Sequence, residues 1–310
     1  MLFAVRGLVV GLGFFGVVYC LLSLLVACAW QVARPFCRNS AVISARLLFG
    51  LRISPLIGSA LITLFFALPA FALLEGGMDE DMGTLLFSAG AVLLLGSGLV
   101  RIVRAQKVAA RTVAEWRRGA QMVSAGQEAE TLRSRNGVPP LLLYGISTPK
   151  VLVSETAIAL LSRDELKAAV RHEMGHLRSR DNLKKLILHG IPFPGMRSLD
   201  RAWQEAAEFA ADRAAVLDGD DAVELASALI KLCNLVPVQD APAFTTGFVD
   251  MAALVNVRVR RLLAWNGDRS RAFRTWWCVL PILLITLPYT AAHYGQALLL
   301  THRATEWFIH

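Results

Sequence analysis

Four stretches of this chain are too apolar and too free of charge to sit exposed in water. They run approximately from Gly7 to Ala33, Ile53 to Leu74, Met82 to Val100 and Thr275 to Thr301. A helix needs around 20 apolar residues to cross about 30 Å of hydrocarbon, and runs of this length qualify. Any one of them could be a buried core helix, but four in one chain read as four transmembrane helices. Composition agrees, with 55% hydrophobic and 18% charged residues against roughly 25% charged in soluble domains. Arg6 precedes the first run and Leu25-Val26-Ala27-Cys28 resembles a lipoprotein cleavage box. The run is nevertheless much longer than the roughly 7–15 apolar residues of a signal peptide, so a retained helix is expected.

The connections between the runs set an orientation. Arg34, Arg38, Arg46 and Arg52 lie between the first two, and Glu75, Asp79, Glu80 and Asp81 between the second and third. Arg101, Arg104, Lys107, Arg111, Arg117 and Arg118 follow the third, and Arg258, Arg260, Arg261, Arg269, Arg271 and Arg274 precede the fourth. The positive-inside bias puts the first connection and the central region in the cytoplasm and both termini outside. The net charge of +8 therefore flanks membrane. No basic-aromatic stripe suggests nucleic acid, and none is expected as a partner. Gly7-x-x-x-Gly11 and Gly96-x-Gly98 offer small packing surfaces. His293, beside Tyr289 and Tyr294, suits an interfacial belt as well as a functional group. The five cysteines show no disulfide or zinc-site spacing and read as small apolar residues.

Three regions follow: a three-span region over residues 1–107, a cytoplasmic domain over 108–274, and a fourth span with a short outer tail over 275–310. The middle region, roughly 165 residues, is long enough for its own core. It opens with a basic helix whose Val108, Val113 and Trp116 could face inward, broken by Asn136-Gly137-Val138-Pro139-Pro140. Leu141 to Ile146 and Val151 to Ser154 read as a hairpin or two adjacent strands, and the first could present an edge for a peptide to join as a strand. Ser162-Arg163-Asp164-Glu165 is a capping box opening a long helix that Gly190 and Pro192 end. Further helices are expected over Asp200 to Leu217, Asp221 to Leu235 and Met251 to Trp265. The expected fold is a mostly α membrane protein, with four transmembrane helices and a cytoplasmic α+β domain carrying a small sheet.

The long helix contains His172-Glu173-Met174-Gly175-His176. Histidines four apart share one helical face, so their rings can converge on one zinc ion at about 2.0–2.1 Å. Glu173 points in an adjacent direction, suited to a metal-bound water rather than the metal. This is the HExxH arrangement of zinc peptidases. Catalytic zinc takes three protein ligands plus water. The stretch Trp203-Gln204-Glu205-Ala206-Ala207-Glu208-Phe209-Ala210-Ala211-Asp212 supplies Glu208 as the third ligand, with Glu205 as the fallback. Asp212, on the same face, is expected to accept the distal N–H of a ligand histidine and fix its tautomer. Glu173 would take a proton from the attacking water and return it to the leaving amine. Tyr144 and His189 are candidate oxyanion donors with an equally ready structural role. Arg178 or Asp181 could brace the site or form a local ion pair.

These features together resemble the BlaR/MecR-type family of membrane zinc metallopeptidases. Three spans precede the motif and one follows. Gly145 and Pro149-Lys150-Val151-Leu152-Val153 match the family's strand, and Leu161-Ser162-Arg163-Asp164-Glu165-Leu166 leads to the histidines. Arg180-Asp181-Asn182-Leu183 follows, Glu208 and Asp212 occupy the Glu-x-x-x-Asp, and Arg258-x-Arg-Arg-Leu-Leu precedes the last span. The resemblance implies a zincin-like gluzincin domain in a bacterial inner membrane, with a protein or peptide substrate such as a transcriptional repressor, sometimes after self-cleavage. Members that sense β-lactams carry a large outer penicillin-binding domain, whereas only about nine residues follow Thr301, so antibiotic sensing is not carried over. An HtpX-like quality-control protease, which usually has two spans after its site, and a non-catalytic transducer stabilised by zinc are the competing readings.

Overall fold

The computed structural model describes residues 2–37, 44–74, 82–117, 121–125, 130–134, 140–146, 150–191, 193–233, 246–247, 254–267 and 293–309. The chain packs as two units. One comprises Met1–Leu99, Ile191–Asp200 and Arg271–His310, the other Val100–Gly190 and Arg201–Ser270.

In the first unit, α1 (Leu2–Cys37) is followed by α2 (Ala45–Ile62), which continues through a π-helical turn (Thr63–Ala67) into α3 (Leu68–Leu74). The next helix, α4 (Met82–Arg117), starts in this unit. Three helical stretches are long and apolar enough to cross a membrane: Ala4–Pro35, Ala45–Leu74 and Leu85–Trp116. Gly11 lets α1 approach α3, since a Cβ there would stand 2.8 Å from the Leu68 side chain. The other sequence-level pair differs, because a Cβ at Gly96 would meet nothing within 4 Å. Most of the expected fourth span, Thr275 to Thr301, lies outside the described residues. Its end falls in the C-terminal helix Tyr294–Ile309, where the Tyr294 hydroxyl donates to the Phe65 carbonyl at 2.8 Å.

The second helix starts earlier than its apolar run suggests. Ser44 caps it, accepting from the Leu47 N–H, and this draws Arg46 and Arg52 into the helix. Arg52 is buried. Its Nε donates to Asp200 Oδ1 at 2.7 Å and its Nη2 to the Ile191 carbonyl at 2.6 Å. Phe193 packs edge-on against Tyr19, with ring centroids 6.0 Å apart. The segment Ile191–Asp200 is thus held within this unit by polar and aromatic contacts together.

In the second unit, five strands form one sheet in the order β1-β2-β4-β3-β5: β1 Gln121–Ala125, β2 Glu130–Ser134, β3 Leu141–Tyr144, β4 Lys150–Ser154 and β5 Thr246–Gly247. The expected pair is β3 and β4, antiparallel with Leu142 opposite Leu152. Their unbroken apolar runs reflect burial on both faces. Leu142, Tyr144 and Leu152 pack with Val113 and Trp116 of α4, while Leu141, Leu143, Val151 and Val153 join the main core. Among the other strands, β2 runs parallel to β4 and β1 antiparallel to β2. They occupy the stretch expected to belong to a basic helix, and that helix instead ends at Arg117 as the continuation of the third apolar run. The outer side of β3 carries β5 at Leu142 and Leu143, so β3 is not the free edge its sequence suggested.

The remaining elements of this unit are α5 (Glu155–Leu160), α6 (Arg163–Ser179), α7 (Asp181–Gly190), α8 (Arg197–Ala215, which begins in the first unit), α9 (Gly219–Cys233) and α10 (Val255–Leu263). The capping box forms as expected: the Ser162 hydroxyl accepts from the Glu165 N–H, and Glu165 accepts from the Ser162 N–H at 2.7 Å. Glu165 also accepts from Ser227 at 2.6 Å and Lys231 at 2.8 Å, and Arg171 pairs with Asp221. These two polar links tie α6 to α9. The helix expected to run unbroken to Gly190 is instead two. Arg180 adopts the left-handed conformation at φ 55°, and its N–H donates to the His176 and Leu177 carbonyls. Such a conformation is uncommon outside glycine, and here it turns Asp181 back toward His176.

Candidate metal centre

His172 and His176 stand one turn apart on the buried side of α6, with ring centroids 4.8 Å apart and ring planes at 85°. Opposite them α8 presents Glu208 and Asp212, both buried. The two helices approach closely because neither carries bulk where they cross: a Cβ at Gly175 would lie 3.1 Å from the Ala211 Cα. Ala211 therefore serves a geometric purpose, and so does the glycine inside the histidine motif.

The facing atoms form a small triangle. His172 Nε2 and His176 Nε2 are 3.2 Å apart. Glu208 Oε2 lies 3.5 Å from the first and Oε1 lies 3.5 Å from the second. Ligands about 2.0–2.1 Å from a tetrahedral zinc stand about 3.3 Å from one another, so the donor set fits that ion. Among the described residues, His172, His176 and Glu208 form the group able to hold a metal. Glu205, the fallback ligand, is half-buried and lies outside it.

Acids on the far side of each ring fix the tautomers. His172 Nδ1 lies 2.9 Å from Asp212 Oδ1, and His176 Nδ1 lies 2.8 Å from Asp181 Oδ2. With both Nδ1–H groups donated outward, the two Nε2 lone pairs converge, which suits a shared cation. Asp181 thus touches the site directly, while its other oxygen accepts from Lys184 at 2.9 Å. The neighbouring Asn182 amide donates to the Leu143 and Gly145 carbonyls, each at 3.2 Å, tying α7 to β3. Glu173, on the same turn as His172, is fully buried.

One site residue was not anticipated. Arg258 of α10 is buried, with Nε 2.8 Å from Asp212 Oδ2, Nη2 2.6 Å from Asp212 Oδ1 and Nη1 2.9 Å from Glu208 Oε2. Its Nη2 also lies 3.4 Å from both ring nitrogens of His172. In the sequence it is one of six basic residues before an apolar run, so the signal that could have singled it out was the resemblance motif. The oxyanion candidates fall elsewhere. Tyr144 lies on the face of the sheet that meets α4, and His189 is half-buried at the end of α7.

The charges reinforce one another. Burial and the Arg258 charge both lower the pKa of His172, but hydrogen bonds to Asp212 and Glu208 outweigh them and raise it to about 9. A proton and a metal cation compete for that ring. Burial alone would raise the Glu208 carboxyl, yet Arg258 and the two histidines hold it well below the usual carboxylate range. Asp212 is depressed against the same burial by Arg258 and His172, and Asp181 by His176 and Lys184.

Residues 142–198 match Peptidase family M48, a family of metallopeptidases. The matched stretch runs from β3 through both histidines into the first turn of α8, and stops short of Glu208, Asp212 and Arg258. No curated protein matches the chain. The chain is therefore similar, over its histidine-bearing part, to a group of metal-dependent proteases, and its long apolar helices suggest a membrane setting.

Proposed function

We propose that this chain is a membrane-embedded zinc-dependent endopeptidase. In this reading a cytoplasmic zincin-like domain over residues 108–274 is held between three spans and a fourth, and both termini lie outside. His172, His176 and Glu208 hold one zinc ion, and Glu173 is the general base. The observation that carries the reading is the triangle of two Nε2 atoms and one carboxylate, with each Nδ1 turned to its own acid. The match to a metallopeptidase family over the same helix supports it.

Zinc bound there would supply Lewis acidity toward the scissile carbonyl and an acidified water. The rest of the work falls to the chain. Asp212 and Asp181 keep both rings presenting Nε2 inward. Glu173, one residue along from the first histidine, takes a proton at its carboxylate and returns it to the departing amine. Burial keeps bulk water from these groups, which strengthens each electrostatic contact.

The substrates in this proposal are cytoplasmic or membrane proteins, and the biological setting is regulatory, a transcriptional repressor being the target suggested by the sequence resemblance. Glu173→Gln tests the chemistry. The variant retains zinc and loses cleavage by about 10²–10⁴-fold, the usual worth of a positioned acid–base group. Comparing protein fragments in cells carrying the wild type and the variant identifies the substrate class. A lost repressor fragment supports regulation, and lost fragments of many membrane proteins support quality control. Cleavage that persists unchanged in Glu173→Gln contradicts the mechanism, and a chain that binds zinc yet alters no fragment is a zinc-stabilised transducer.

A further inference from the structure

We infer that Arg258 is a positioning residue of this centre, whose planar fork sets the angle at which α8 offers Glu208 to the two histidines. The inference rests on the zinc reading above and adds a third helix to it. Glu208 and Asp212 stand one turn apart on α8 and are both buried, so their charges repel at short range in a medium that screens poorly. Arg258 engages them with different parts of one rigid group. Nε and Nη2 grip both oxygens of Asp212 at 2.8 and 2.6 Å, and Nη1 reaches Glu208 Oε2 at 2.9 Å. A guanidinium holds its nitrogens in a fixed plane. Once Asp212 has fixed that plane, the place of Nη1 is settled, and its charge holds Glu208 Oε2 close at 2.9 Å as an ion pair without hydrogen-bond alignment.

The fork is itself anchored. Helix α10, which carries it, seats Val255 and Leu262 in the main core. From the next turn Arg261 lies over the Phe209 ring of α8, 4.2 Å from its centroid. Arg258 therefore reads the position of α8 from a separate, packed element. The chain of contacts runs from α10 through Arg258 to Asp212 and His172 on one side and to Glu208 on the other. A point charge on a flexible stem would satisfy the electrostatics without fixing the angle, so the inference separates Arg from Lys.

The test uses full-length protein in detergent, stripped of metal, with Arg258→Lys, Arg258→Met and the exposed-site control Arg260→Met. Zinc alone is titrated against a fluorescent chelator, and the visible absorption of the cobalt-loaded protein reports coordination geometry. Both Arg258 variants weaken zinc binding by about 10–100-fold, the cost typical of losing a group that orients a ligand, and both shift the cobalt spectrum. Arg260→Met matches the wild type. A merely structural ion pair would lower thermal stability in the Arg258 variants while leaving the zinc affinity and cobalt spectrum of folded protein unchanged, and that result overturns the inference. Full recovery by Arg258→Lys overturns the fork in favour of simple charge. If Arg258→Met fails to fold, Arg258→Lys alone decides. Wild-type protein that binds no zinc overturns the zinc reading and this inference together, whereas wild-type binding with unaffected variants overturns this inference alone.

Discussion

Gly175 occupies an unassigned position of the histidine motif, yet it is where α6 and α8 meet. A Cβ there would stand 3.1 Å from the Ala211 Cα and 3.3 Å from its carbonyl oxygen. Backbone cannot yield as a side-chain tip can, so a branched side chain must push α8 outward and draw Glu208 away from both rings. Gly175→Val is accordingly expected to keep its helical circular dichroism while its zinc dissociation constant rises on the order of 10–100-fold; an unchanged constant would show that the close approach does not govern the site. At this scale the histidine pair and the acid pair were legible because helical spacing alone puts each on one face. Asp181 was legible only in part, as either a brace for the site or half of a local ion pair, and the first alternative is the one its contact with His176 matches. Arg258 was not legible, because it reads as membrane-flanking charge. Their meaning comes from partners on other elements: Arg258 lies 46 positions from Asp212.

Among the elements, those with strong local signals matched their sequence reading and those shaped by long-range pairing did not. The capping box placed the start of α6 correctly, and the apolar runs of β3 and β4 marked both strands. Strands β1 and β2, Gln-Met-Val-Ser-Ala and Glu-Thr-Leu-Arg-Ser, show no apolar alternation of a half-buried strand. Their pairing depends on the neighbouring ladder more than on their own pattern. The break between α6 and α7 carries no glycine or proline and was invisible for that reason. The capped start of α2, hidden by its arginines, bears a prediction of its own. Arg52→Met removes the donors to Asp200 and to the Ile191 carbonyl and leaves that carbonyl unpaired, a loss of about 1–3 kcal/mol. The purified variant should melt several degrees below the wild type and show faster proteolysis within Ile191–Asp200. Equal melting and equal proteolysis would mean that Arg52 does not hold this segment.

For the molecule as a whole, composition led to a membrane protein with a polar catalytic region. Three helices long and apolar enough to cross a bilayer accord with that, and a metallopeptidase match over residues 142–198 accords with the motif. The alternating basic and acidic connections are the basis for the proposal that residues 108–274 face the cytoplasm. The proposed chemistry requires that the donor triangle be a zinc site. Zinc-edge X-ray absorption on the purified full-length chain tests it most directly. It should find one zinc ion per chain, with two imidazole shells and oxygen donors at about 2.0–2.2 Å and no sulfur. A sulfur shell, a single imidazole, or protein that holds no zinc after metal-replete purification would contradict the account.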